Sequence, residues 1–200
     1  MNNLLIIGLL FLTFSSATAQ KNFNDSISEA RKQLTHNAMI GLGTWSVVNI
    51  ASGFIIANQT TGESKYFWRM NAYWNLFNLG LAGMGLLGGH QAALHHNSFS
   101  ENFQEQHKIE KLYVFNAGLD LFYIAGGFAL REHGNSEHSI DKQDQFRGFG
   151  SSIVVQGGFL LLMDALMYSL HHKNTLRMSR KLQGLELNAG PGWMSINYRF

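Results

Sequence analysis

Four apolar stretches of about twenty residues each constrain this chain more than any other feature. They cover residues 38–57, 71–94, 112–130 and 149–170. Each is close to the ~20 residues that a helix needs to cross a bilayer. The segments between them, "NQTTGESKYFWRM", "HHNSFSENFQEQHKIEK" and "REHGNSEHSIDKQDQFR", are polar, charged and free of proline. Soluble helices keep a polar face, and these blocks largely do not. Tyr66, Trp68, Tyr73, Trp74, Tyr113 and Tyr168 stand at or near block ends, where interfacial aromatics belong. The expected fold is all-α, a four-helix transmembrane bundle over residues 38–172, with the lipid bilayer as its surroundings.

Composition agrees once its distribution is considered. Only 14% of residues are charged, against roughly 25% in an average soluble domain. The mean hydropathy of -0.06 hides segregation of charges into a few segments. A net charge of +2 without a Lys/Arg stripe excludes a nucleic-acid partner. The chain has no cysteine, hence no disulfide and no thiolate chemistry. Residues 1–19 read as a secretory signal, with an apolar run from Leu4 to Phe14 and Ala17-Thr18-Ala19 as the cleavage site. Their first residues lack the usual Lys or Arg. Residues 20–37 read as an amphipathic surface segment. There Ser26 and Glu29 form a capping box that opens a helix, and Ile27, Ala30 and Leu34 share a face.

The two halves of the chain resemble each other. "IASGF" (50–54) matches "IAGGF" (124–128), and "LHH" ends both the second and the fourth block. The bundle therefore reads as two tandem helical hairpins related by an axis along the membrane normal. Residues 173–200 form a basic tail followed by a short β-hairpin: Leu185, Leu187 and Ala189 alternate with polar residues, "GPG" turns, and Met194, Ile196 and Tyr198 alternate again.

The stretches "KYFWRMNAYWNLFN", "KIEKLYVFNAGLD" and "FGSSIVVQGGFLLLMD" carry a resemblance over residues 36–172. They are similar to an uncharacterised family of small, four-span bacterial membrane proteins of the Bacteroidetes type. That family has no assigned activity. The resemblance implies a membrane protein and transfers no catalytic residue.

Polar residues inside the blocks fall at helical spacing. Asn49 lies in the first block, Asn75 and Asn78 in the second, Asn116 and Asp120 in the third, and Gln156 and Asp164 in the fourth. Amides hydrogen-bond across helices in lipid, so these stripes are expected to face inward. An Asp at mid-bilayer costs roughly 2.5–3.5 kcal/mol on insertion scales and avoids lipid. Asp120 lies ~12 Å into its block, and Asp164 lies ~9 Å from the end of the next, antiparallel one. The two carboxyls are thus expected at similar depth. They either fix helix packing or form a shared proton or cation site.

Histidines gather at one expected surface: His36, His90, His95, His96, His171 and His172. Imidazoles there suit a metal or haem, while the helix dipole alone also favours histidine at a helix C-terminus. No nucleophile triad, phosphate loop or second histidine box accompanies them, so no cofactor is required and no enzyme is expected. Three functions follow. The first is a structural or interaction protein acting through a protein partner or a homo-oligomer. The second is a proton- or cation-coupled carrier using Asp120 and Asp164. The third is a histidine-rich metal or haem binder. The expected location is the inner membrane, with the mature N-terminus in the periplasm.

Overall fold

A computed structural model describes residues 23–88 and 98–181 with their side chains, and the backbone alone of 2–22, 89–92, 182–183, 185–190 and 193–198. Four helices pack as a bundle: α1 (Asn2–Ala57), α2 (Gly62–Ala92), α3 (Phe99–Asn135) and α4 (Ile140–Gln183). Among the described residues, three stretches are long and apolar enough to cross a membrane: Phe23–Ala57, Phe99–Asn135 and Ile140–Lys181. The stretch expected as the second span does form a helix, α2. Asn71, Asn75 and Asn78 dilute its apolar character, and over its described residues it falls short of the other three.

The bundle is inverted relative to a soluble one. Phe77 (65% exposed), Leu87 (75%), Phe122 (71%) and Leu162 (74%) face outward. The most deeply buried side chains include Asn71, Asn75, Asn102, Gln106, Gln156 and His171. Exposed apolar surface is unfavourable in water at ~25 cal/mol per Å². Against lipid tails that penalty vanishes, and the buried amides gain partners across helices.

Why the helices meet where they do is visible on α3. Gln106, Tyr113, Asp120, Gly127 and Gly134 recur every seven residues, and all are buried. A seven-residue recurrence is the pattern of shallow, left-handed helix crossings. α4 lies against this face, α2 lies against α4, and α1 lies against α2. Close approach relies on glycine. A Cβ on Gly127 would lie 2.7 Å from the carbonyl oxygen of Gly150, and one on Gly53 would lie 2.8 Å from that of Trp68. The two glycines occupy matching positions in "IASGF" and "IAGGF". Among the described residues the backbones of α2 and α3 stay apart, and the gap between them is the principal feature of the fold.

Helices overrun the expected boundaries. Backbone helix continues through Ser26, so no capping box opens there. Instead Ile27 and Arg31 of the 20–37 segment are buried. Arg31 Nη1 donates to the Asn102 carbonyl at 3.2 Å, and Lys181 Nζ sits 4.0 Å above the Phe23 ring. A capping box does form at Ser98. Its Oγ accepts from the Glu101 N–H at 3.3 Å, and Glu101 Oε2 accepts from the Ser98 N–H at 2.7 Å. Residues 99–111, expected as a loop, are therefore helical, and α4 likewise continues through the basic stretch after His172. These polar segments contain no proline, so no ring breaks the helix within them. At the opposite end, Arg147 Nε pairs with Glu63 Oε2 at 3.1 Å and the Tyr66 hydroxyl donates to Asp141 at 2.7 Å.

Beyond residue 184, Leu185–Gly190 (β1) and Trp193–Tyr198 (β2) pair antiparallel, with Leu185 opposite Tyr198. The expected C-terminal hairpin falls here. Its side chains, like those of the expected signal segment 1–19, lie outside the described residues.

Candidate functional site

Amide side chains on α1, α2 and α4 form one chain of hydrogen bonds. Asn71 Nδ2 donates to Asn49 Oδ1 at 2.8 Å. The Asn71 Oδ1 accepts from Gln156 Nε2. Gln156 Oε1 accepts from Trp45 Nε1 at 3.2 Å and from Asn75 Nδ2 at 3.1 Å. Asn78 Nδ2 reaches Asn75 Oδ1 at 3.5 Å. The Trp45 ring lies flat on Phe159, centroids 3.9 Å apart, which fixes its N–H toward Gln156. Four of the expected intramembrane residues thus come together: Asn49, Asn75, Asn78 and Gln156. Asn71 and Trp45 complete the set. With its amides mutually satisfied, this network is suited to locking three helices in register.

The remaining three expected residues meet elsewhere. Asn116, Asp120 and Asp164 line a cleft of about 870 Å³ between α2 and α3. The carboxyls of Asp120 and Asp164 are within hydrogen-bonding reach of each other. A carboxyl–carboxyl hydrogen bond needs a proton on one partner, so the pair holds at least one proton whenever the bond is made. Asp120 is 3% exposed, and its Oδ2 is sealed from solvent. The walls are largely apolar: Met39, Leu42, Phe77, Leu81, Leu119, Leu160 and Met163 contribute. Trp74 and Tyr123 bridge the gap edge to face, with centroids 4.9 Å apart, and the buried Trp74 Nε1 is unpartnered. Volume, apolar walls and a few polar groups are the ordinary attributes of a small-molecule site.

A second polar cluster fills the end of the bundle where α1, α3 and α4 continue. Asn102 Nδ2 donates to the Asn24 carbonyl at 3.0 Å. Gln106 Nε2 donates to the His171 carbonyl at 2.8 Å and approaches His171 Nδ1 at 3.3 Å. Thr175 Oγ1 donates to Glu110 Oε1. The Tyr113 ring, which lines the cleft, stacks on His171 with centroids 5.4 Å apart. The sequence reading passed over Asn102, Gln106 and Glu110. Stepping back by sevens from Asp120 to Tyr113 and Gln106 is the signal that finds this face.

Residues 41–165 match the profile of a family of unknown function (DUF6992). The chain belongs to the DUF6992 family. No curated protein and no solved structure matches the chain significantly. The DUF6992 match contains the whole amide network and both aspartates. It includes Asn102, Gln106 and Glu110 of the second cluster and leaves out their partners Arg31, His171 and Thr175.

Of the six expected histidines in this DUF6992 chain, the side chains of His36, His171 and His172 are described. His36 is exposed, His171 is fully buried against Gln106, and His172 Nδ1 lies 3.4 Å from Glu110. The His90 side chain, and His95 and His96 altogether, lie outside the described residues. Among the described residues, no three His, Asp or Glu side chains converge on a metal-sized position.

Proposed function

We propose that this DUF6992 protein is a polytopic inner-membrane protein that binds a small ligand between α2 and α3. In this reading it works as a proton- or cation-coupled carrier. One observation carries the proposal: Asp120 and Asp164 reach each other on the wall of a cleft large enough for a small molecule. Intramembrane carboxyls that face a cavity mark ion or proton paths. All four helices cross the bilayer in this reading. α2 does so although polar, because Asn71, Asn75 and Asn78 are buried against the other helices and its lipid-facing side chains are Phe77, Met84 and Leu87. Residues 1–19 act as a cleaved signal, the mature N-terminus is periplasmic, and the two hairpins are a tandem repeat whose Gly53 and Gly127 play matching parts.

A packing role for the two aspartates is the competing reading, and the cleft that both residues line favours the carrier. Proteoliposomes with an internal pH dye separate the two. The carrier reading expects an ion flux after an acid step that Asp120→Asn and Asp164→Asn abolish while circular dichroism stays unchanged. Loss of folding in both variants, or flux equal to that of empty liposomes in the wild type, would overturn it.

A further inference from the structure

Resting on the cleft as a binding site, we infer that its ligand is a lipophilic organic monocation, an ammonium with at least one N–H and an apolar body. The charge follows from the walls. Among the described residues no Lys, Arg or His lines the cleft, so an anion meets no counter-charge from them. Among the described residues Asp120 and Asp164 are its only carboxyls, and their mutual hydrogen bond needs a proton on one of them, so the pair carries at most one negative charge. A cation of one charge neutralises the pair; a divalent metal finds only two carboxyls. Charge-matched burial of this kind avoids an unpaired ion in an apolar setting.

The donor and the body follow from the same surface. The carboxyl pair lies on the cleft wall, so an N–H on the ligand supplies it with a charge-assisted donor. At about 870 Å³ with a mostly apolar wall, the cleft is far larger than a bare ion needs. An organic body fills that volume and gains from its burial. Tyr73, Trp74, Phe77 and Tyr123 offer ring faces to a cation.

Three probes of one shape and different charge test this: phenylbutylamine, phenylbutanol and phenylbutyrate. The chain has no native cysteine, so a single Leu119→Cys on the cleft wall reports occupancy by its protection from a maleimide in detergent. The amine is expected to protect at concentrations about tenfold or more below the alcohol, as a charge-assisted hydrogen bond requires. The butyrate is expected to protect least. Adding Asp120→Asn and Asp164→Asn should erase the preference while the alcohol still protects. Equal protection by amine and alcohol in the Leu119→Cys protein would overturn the monocation and leave the cleft standing as a site. Protection by none of the three would overturn the cleft itself. If the aspartate variants fail to fold, the ranking of the three probes on the Leu119→Cys protein decides alone.

Discussion

Gly127 of α3 rests on the backbone of Gly150 in α4, so closely that a Cβ at Gly127 would stand 2.7 Å from the Gly150 carbonyl oxygen. Its neighbour Gly126 faces open space, with nothing within 4 Å of the corresponding point. Gly127→Leu is therefore expected to destabilise by roughly 1–3 kcal/mol, the ordinary cost of overpacking. Gly126→Leu should fall within about 0.5 kcal/mol of wild type. Thermal unfolding in detergent compares them, and equal midpoints would refute the close approach.

The amide network predicts a ranking. Gln156→Leu strands groups on Asn71, Asn75 and Trp45 at once, and each unsatisfied buried group costs about 1–3 kcal/mol. Trp45→Phe removes one donor and keeps the stack on Phe159, so about 0.5–1.5 kcal/mol is expected. Equilibrium unfolding of both variants in detergent should order them that way. A Trp45→Phe cost equal to that of Gln156→Leu would argue against Gln156 as the hub.

These residues also mark how far the sequence could be read. Helical rise is fixed, so depth arithmetic alone put Asp120 and Asp164 level with each other, and their carboxyls do meet. Spacing by three and four likewise aligned Asn75 and Asn78 with the inner face. Which helices become neighbours is a long-range property, and no local pattern reveals it. The gap between α2 and α3, and with it the cleft, was invisible for that reason. The buried cluster around Asn102, Gln106 and Glu110 was missed because polar residues in a charged segment look solvated. Only their register with Asp120 betrays a buried face.

The start of α3 offers a local test. Ser98→Ala removes the acceptor for the Glu101 N–H and should cost about 1 kcal/mol, the usual worth of an N-cap. Hydrogen exchange is expected to quicken at the first turn of α3 and stay unchanged at Asp120. Uniform acceleration along α3 would mean that the cap supports the whole helix.

Membrane location and orientation are tested together. The protein should stay in the pellet through alkaline carbonate washing and dissolve only in detergent. Alkaline phosphatase fused after Phe200 should be active, which corresponds to a periplasmic C-terminus. That orientation leaves only Lys65, Arg69, Arg131, Lys142 and Arg147 on the cytoplasmic side, against the usual positive-inside bias. An inactive fusion would reverse the orientation and leave the bundle unchanged.

The central claim is that a proton-bearing carboxyl pair faces a lipid-accessible cleft. Dicyclohexylcarbodiimide, which enters membranes and reacts with protonated carboxyls, tests it directly. Mass spectrometry of the labelled protein is expected to find the adduct on Asp120 or Asp164, with labelling suppressed by phenylbutylamine. A water-soluble carbodiimide should leave both residues unmodified while labelling exposed acids such as Glu105. Absence of the lipophilic adduct from both aspartates, or equal modification by the water-soluble reagent, would contradict the account.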